Sequence, residues 1–368
     1  MKFSVGRDAL LKPLQLVAGV VERRQTLPVL SNVLFEVRGN QLRLTGTDLE
    51  VEMVAAITVA DGAQDGEITI PGRKLLDIVK SLPAGTDIKF ERDGAKAVLK
   101  CGRSRYSLAT LPASEFPNIE QGVGSQPIAI DVDMLKKLVD STAFSMAQQD
   151  VRYYLNGMLV EVSAERLRTV ATDGHRLAMA DAAMSTGVAA KTQVIVPRKG
   201  ILELSRLLTE GGDTQVKLSL GGNHIRAEYG SLTFTSKLID GKFPDYERVL
   251  PKNSDKAVLA QREELRSALS RAAILSNEKY RGIRLTLSNG TLGIVANNPE
   301  QEEAQEEIGV DYQGSELEIG FNVSYLLDVL NTLKGAQVKL ALGDANSSAL
   351  VSDAENASAW YVVMPMRL

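Results

Sequence analysis

The chain has 368 residues, 44% hydrophobic and 24% charged; single cores stop growing near ~250 to 300 residues, so two or three domains are expected. Its 42 Lys+Arg against 46 Asp+Glu leave a net charge of −4, which excludes holding nucleic acid or an anionic membrane by bulk charge and requires any such partner to be met locally. One cysteine, Cys101, and two histidines, His175 and His224, exclude a disulfide framework and leave too few soft ligands for a closed zinc site.

In chain order, the apolar run at 9–21 is interrupted by Lys12 and Pro13, and no apolar stretch of ~18 residues occurs anywhere. A soluble, cytoplasmic protein with no membrane partner is expected. The first run predicts a helix over 7–21. Alternating strands follow about a Gly39-Asn40 turn, then TGTDLEVEM at 45–53, the strand ITIP at 68–71, and a helix with Leu75, Leu76, Ile78 and Leu82 on one face. A Pro-containing stretch at 111–127, with Phe116-Pro117, reads as a linker.

The same order then returns twice. The second pass predicts a helix over 131–145, a turn at Ala164-Glu165, VATDGHRLAM at 170–179, VIVP at 194–197, a helix with Ile201, Leu202, Leu204 and Leu208, and a linker at 238–253 with Phe243-Pro244. The third predicts a helix over 261–275, a turn at Asn289-Gly290, IVANNPEQEE at 294–303, EIGFN at 318–322, and a helix with Leu326, Leu327, Val329 and Leu333. Corresponding landmarks lie 125 or 126 residues apart, a period long enough for a whole domain with its own core. Each repeat reads as helix, hairpin, strand, helix, hairpin, strand. The fold class is α+β with antiparallel sheets, in three tandem similar domains at 1–125, 126–254 and 255–368, which suggests an arc or a closed ring.

No phosphate-cradling, dinucleotide, nucleophile-elbow or zincin motif is present, so enzyme readings lose their usual footholds. The best catalytic candidate is Thr172-Asp173-Gly174-His175-Arg176, a histidine near an aspartate that could act as a base. The plainer reading is a turn at Asp173-Gly174, and the matched positions, Thr47-Asp48-Leu49 and Asn297-Asn298, hold no histidine. Cys101, in the strand pattern AVLKC, reads as a small buried side chain. The acidic run PEQEEAQEEI at 299–308 is either a patch for a metal or cationic partner, or a solvated strand edge protected by charge. Its complement is the basic strand Arg103, Ser104, Arg105, Tyr106, with Lys74 nearby in the pattern; opposite patches at opposite ends of a repeated chain suit head-to-tail association. The six predicted helices carry an excess of four cationic side chains, leaving −8 for the remainder, as a positive surface facing phosphates would require. The loop Gln148 to Tyr154 adds two adjacent tyrosines, suited to stacking on bases or to a core and its rim.

The triplicated unit, ATDGHRLA at 171–178, ANNPEQEEA at 296–304, GFNVSYLLDVL at 320–330 and the terminal YVVMPMRL at 361–368 resemble the bacterial DNA sliding clamp family, the beta subunit of DNA polymerase III, over the whole chain. The resemblance implies the DNA clamp fold: a ring-shaped head-to-tail homodimer, sheets outside and helices lining a channel that duplex DNA threads. It implies DNA contacts from Arg24, Arg73, Gln149, Tyr153 and Tyr154, all suited to weak backbone contact. It implies a dimer interface of Lys74, Arg103, Arg105, Tyr106 and Leu108 on one edge and Ile274, Leu275, Glu300, Glu302 and Glu303 on the other. It also implies a peptide-binding groove of Leu155, Thr172, Gly174, His175, Arg176, Leu177, Pro244, Val249, Ser348, Val362, Met364, Pro365, Met366 and Arg367. The implied partners are a clamp loader, replicative and translesion polymerases, and repair proteins; no catalytic residue, cofactor or metal is implied. A closed ring needs no affinity to stay on DNA, which reconciles a net-negative chain with a DNA partner. Competing readings are a multidomain peptide-binding scaffold without DNA and a hydrolase using Asp173 and His175.

Overall fold

The computed structural model describes residues 1–21, 27–117, 126–210 and 212–367. The first repeat runs β1 (Lys2–Gly6), α1 (Arg7–Val20), β2 (Asn32–Arg38), β3 (Gln41–Thr47), β4 (Val51–Thr58), β5 (Gly66–Pro71), α2 (Gly72–Ser81), β6 (Asp87–Asp93), β7 (Lys96–Cys101) and β8 (Ser104–Ala109). The second runs β9 (Ile128–Asp131), α3 (Val132–Thr142), β10 (Gly157–Ser163), β11 (Arg166–Thr172), β12 (Arg176–Ala183), β13 (Thr192–Pro197), α4 (Arg198–Glu210), β14 (Gln215–Leu220), β15 (His224–Tyr229) and β16 (Leu232–Lys237). The third runs β17 (Lys256–Gln261), α5 (Arg262–Ala272), β18 (Gly282–Ser288), β19 (Thr291–Asn297), β20 (Glu303–Gly309), β21 (Leu317–Asn322), α6 (Val323–Thr332), β22 (Gln337–Leu342), β23 (Ala349–Asp353) and β24 (Ala359–Val363).

All six predicted helices form, and the three predicted turns join β2 to β3, β10 to β11 and β18 to β19. Gly39 and Gly290 adopt φ of 58° and 78°, the left-handed region that two-residue hairpin turns demand. Helix α1 continues through Pro13, although proline removes a helical hydrogen bond. Leu10, Leu14 and Val17 are fully buried around it, and this packing outweighs a penalty of roughly 3 kcal/mol.

Two strand types per repeat escape the sequence reading. One is the short strand ahead of each first helix; the other is β4, β12 and β20, after each first hairpin. Strand β4 is buried over Val51 to Ala55, and β20 is mostly polar with Glu306 between Ala304 and Ile308, so neither shows the apolar alternation of a half-buried strand. The stretch 238–253 is not a free linker either. Phe243 and Tyr246 are buried, 8% and 4% exposed, within a hydrophobic cluster. In the other stretch, Leu111 bridges Thr69, and 118–125 lie outside the described residues.

The chain divides into two compact units, Met1–Lys136 with Lys199–Leu238, and Lys137–Arg198 with Ile239–Leu368. Each holds one four-stranded and one eight-stranded antiparallel sheet. In the first unit the orders are β1-β6-β7-β8 and β5-β2-β3-β4-β16-β15-β14-β9; in the second they are β20-β19-β18-β21 and β13-β10-β11-β12-β24-β23-β22-β17. Each eight-stranded sheet is therefore two repeats sewn edge to edge, at a β4·β16 seam and a β12·β24 seam. The seams share one register: Phe234 faces Met53, and its counterpart Tyr361 faces Ala178. Among the described residues, strands β8 and β20, the counterparts of the seam strands, end their sheets without a neighbour. Under the sheets lie the helices; in the second unit Leu265, Leu269, Leu326 and Leu330 pack with Leu285, Ile294, Phe321 and Tyr361 in one core.

Candidate functional site

Because side chains alternate across a strand, the β12·β24 seam has two different faces. Ala178, Tyr361 and Val363 point into the helical core, whereas Leu177, Met179 and Val362 point the other way and join Leu159, Val170 and Ile195. That second face is only partly roofed. Phe243 and Tyr246 cover it, while Tyr154, Ile239, Leu250, Leu350 and Trp360 stay half-buried around it. Val249 and Met364 are 43% and 44% exposed at the margin, and Pro244 is exposed beside them. The result is an apolar groove floored by the seam and walled by 243–250 and by the C-terminal residues.

The predicted groove residues converge here, with different jobs. Leu155, Leu177 and Val362 are buried floor; Ser348, Pro365 and Met366 are half-buried, and Arg367 is exposed. The Met364 amide donates to the His175 carbonyl (3.0 Å) and the Met366 amide to that of Gly320 (2.8 Å), which fixes the chain end against the sheet. Thr172 and Gly174 belong to a tight turn: the Thr172 hydroxyl donates to the Arg176 carbonyl (2.6 Å) and accepts from the Gly174 amide (3.1 Å). Gly174 sits at φ 89°, and a Cβ there would meet the Arg152 guanidinium at 2.7 Å. The exposed His175 ring stacks 6.4 Å from Tyr325. The Asp173 carboxylate accepts from the amides of His175 and Arg176 and from Arg176 Nε (2.9 to 3.1 Å). It caps the turn, as the plainer reading expects, and these bonds go to backbone amides and to Arg176 rather than to the His175 ring.

Arg176 is also a joint of the fold. It is half-buried with its guanidinium between the Phe144 and Tyr325 rings, 5.2 and 4.6 Å from their centroids. It also donates to Asp173, to Asp328 and to the Phe144 carbonyl. Sequence reasoning missed Tyr325, Trp360, Met179, Leu250 and Leu350. The lone tryptophan beside YVVMPMRL was the available signal.

Of the expected DNA contacts, Arg24 lies outside the described residues. Arg73 is exposed and donates to the Val21 carbonyl (3.3 Å). Gln149 is exposed at φ 55°. The tyrosine pair splits: Tyr153 is 56% exposed, while Tyr154, edge-on to it at 5.7 Å, packs against the groove cluster. Their loop is braced by Arg152, which pairs with Asp150 (2.8 Å) and donates to the Asp173 carbonyl (3.1 Å). The bond from Arg152 holds the Asp150 carboxyl down at about 2. Two of the helices' cations pair with carboxylates outside the helices, Lys199 with Asp48 and Arg271 with Glu306, and so draw on the positive excess; Arg7 with Asp8, Arg206 with Glu203 and Arg266 with Glu263 pair within their own helices.

The expected interface residues occupy the two unpaired edges. Arg103 and Arg105 are exposed, and Tyr106 and Leu108 half-buried, on or beside β8; Glu300, Glu302 and Glu303 are exposed at the start of β20. Lys74 is the third residue of α2, the place Tyr325 holds on α6 against the β12·β24 seam. Leu10, Leu135 and Leu265 are matched helix residues, so Gly19, Phe144 and Ile274 are matched as well. Gly19 lies under the Arg206 guanidinium, where a Cβ would come within 1.8 Å, and Phe144 lies under Arg176. Ile274 is 76% exposed, and Leu275 beside it is half-buried. Cys101 is free and buried, as its strand pattern predicts.

Models of the DNA polymerase III beta subunit match the chain in its N-terminal domain at 1–120, its central domain at 129–245 and its C-terminal domain at 247–367. The chain is 63% identical to the beta sliding clamp of Pseudomonas aeruginosa and 53% identical to that of Escherichia coli strain K12, covering each fully. The crystal structure of the P. aeruginosa beta subunit superposes over all of both chains with a TM-score of 0.97 at 62% identity, and that of a sliding clamp from the same organism bound to griselimycin with 0.96. The chain belongs to the beta sliding clamp family of DNA polymerase III, and its fold is the three-domain clamp fold of antiparallel sheets and helices.

Proposed function

We propose that two copies of the chain close head to tail into a ring that encircles duplex DNA, slides on it without sequence preference, and docks polymerases through the β12·β24 groove. The observation that carries this is the pair of unpaired edges. Two of the three repeat-to-repeat seams form inside the chain with one register, and the strands for the third, β8 and β20, are present but unpartnered. Applied across two copies, the shared register sets Tyr106 opposite Ala304 and Ser107 opposite Glu303, in the places of Phe234·Met53 and Thr235·Glu52. Arg105 then falls opposite Gln305, between Glu303 and Glu307 on one face of β20, and Arg103 falls opposite Glu307, while Ile274 and Leu275 gain the cover their counterparts have. Such a head-to-tail closure between two copies uses both edges of each and leaves neither to propagate.

Helices line the channel, where Arg24, Arg73, Gln149 and Tyr153 make weak contacts; Tyr154 divides its ring between that loop and the groove. The clamp domains are 1–125, 126–254 and 255–368. A clamp loader opens the ring, and repair proteins share the groove with replicative and translesion polymerases through short extended peptides with apolar anchors. The protein acts in the cytoplasm as a processivity factor and performs no catalysis.

The register supplies the test. Ser107→Cys with Glu303→Cys should form a disulfide-linked dimer on mild oxidation, because paired residues in an antiparallel ladder lie ~4.5 to 5.5 Å apart, within disulfide reach. A Leu108→Cys, Glu303→Cys pair, one residue out of register, should not. Equal crosslinking of both pairs, or of neither, refutes the assigned seam. Loaded protein should also survive high salt on a nicked circle and leave once the circle is linearised; equal loss from both would indicate ordinary phosphate binding.

A further inference from the structure

Beneath the 243–250 wall of the groove the sheet carries a polar cluster, buried at Glu161, Arg168 and Tyr246, that neither DNA contact nor ring closure uses. Glu161 on β10 is 1% exposed; it accepts from Gln193 Nε2 (2.7 Å), Arg166 (3.1 Å) and the Tyr246 hydroxyl (3.0 Å), and pairs with Lys191 (2.8 Å). Arg168 on β11 grips Asp181 with two nitrogens (2.5 and 2.7 Å), and its Nη1 donates to the same Tyr246 hydroxyl (3.1 Å). The phenol oxygen thus accepts from Arg168 and donates to Glu161, with the guanidinium 5.6 Å from its ring centroid. A buried hydroxyl with both functions met is fixed in place, whereas an unmet buried partner is costly. Flanking it in sequence are buried Phe243, exposed Pro244 and Val249, and half-buried Leu250.

The cluster is complete only in the repeat that carries the groove. At the matched positions of the first repeat, Glu36 and Arg43 form a partly exposed pair at 3.9 Å. In the third repeat the same positions are Thr286 and Gly293. A feature added to one of three copies of a scaffold calls for a local reason.

We propose that Tyr246, held between Arg168 and Glu161, is a positioning residue that docks the 243–250 wall on the sheet and so preorganises the groove for its apolar peptide ligands. The proposal rests on the groove reading above. Tyr246 touches no ligand; it sets the fraction of molecules whose wall is already in place, and the apparent affinity scales with that fraction.

Trp360, the only tryptophan in the chain, packs half-buried against the apolar cluster that contains Phe243 and Tyr246 and so reports on the wall. Full-length wild-type and Tyr246→Phe proteins are compared by Trp360 emission and by calorimetric titration with griselimycin, the ligand seen on the P. aeruginosa relative. Tyr246→Phe should bind about five- to tenfold more weakly, the effect of losing one or two buried hydrogen bonds. Its free emission should be red-shifted and return to the wild-type position at saturation, with the dimer mass unchanged. Arg168→Lys, which keeps the charge and loses the two-nitrogen grip, should behave alike. Equal affinity and equal emission in wild type and Tyr246→Phe overturn the proposal, and so does emission that stays red-shifted at saturation, the mark of a plain folding defect. Failure of wild type itself to bind griselimycin would instead sink the groove reading, and the positioning role with it.

Discussion

Replacing Ile274 by alanine tests ring closure at its most exposed apolar point. The side chain is 76% exposed in the single chain, so shortening it should leave each copy's own stability within about 0.5 kcal/mol of wild type, as for other surface changes. In the closed ring the same side chain is covered. Three carbons at about 0.8 kcal/mol each give ~2.4 kcal/mol per junction. Separation into two copies breaks both junctions, so the dimer should lose ~5 kcal/mol, a factor of about 10³ to 10⁴ in dissociation constant. Sedimentation equilibrium across a concentration series measures that constant, and thermal unfolding of the dilute species measures the single copy. A dissociation constant within tenfold of wild type would refute the reasoning. A melting point that falls at concentrations where both proteins are monomeric would show that Ile274 supports the fold instead.

Glu52 is 7% exposed, and burial raises its carboxyl above the usual range against the opposing pull of Arg43 and Arg226. Its ionised form therefore destabilises the fold, the loss setting in as pH rises through the raised value; Glu52→Gln should increase the melting temperature at pH 7 and leave it unchanged near pH 4. Glu161 has the opposite sign: burial alone would raise its carboxyl, but bonds from Lys191, Gln193 and Tyr246 overcome this and hold it below the usual range. The stability it confers is present above the ordinary glutamate value and lost as pH falls through the lowered one, so acid titration of Glu161→Gln should show a shallower loss below about pH 4.5. Deleting 364–368 removes Met364 from the groove margin and frees the wall at Gly320; griselimycin or polymerase-peptide binding should vanish by calorimetry while the sedimentation mass stays that of the dimer.

The repeat was legible because the amphipathic helices and hairpin turns have strong local signatures, and Leu75, Ile201 and Leu326 end up buried where the period places them. The two internal seams were not legible, because a strand buried on both faces, as at Val51 to Ala55, need not alternate; the edges β8 and β20 were flagged only by their opposite charge. The groove residues came from family resemblance rather than pattern, since Leu177 and Val362 look like any core strand until Phe243 and Tyr246 leave part of that face unroofed. The same burial misled the reading of 238–253, where Pro and Gly mark a turn-rich path but two aromatics anchor it. Arg176 carries a role that neither pattern nor resemblance supplies: its guanidinium ties the Asp173 turn to Asp328 and to the Phe144 carbonyl.

The two internal seams share a backbone register but not a surface chemistry. Where the second presents Leu177 opposite Val362, the first presents Glu52 opposite Thr235. An extended apolar segment laid on the first would have to strip water from a carboxylate and a hydroxyl, so one chain offers a single seat although its architecture is duplicated. A two-copy ring then has a valency of two. Partners on the same DNA must take turns or sit as a pair, and whichever leaves first vacates a place without loosening the ring, which makes exchange between polymerases a matter of occupancy rather than of reloading.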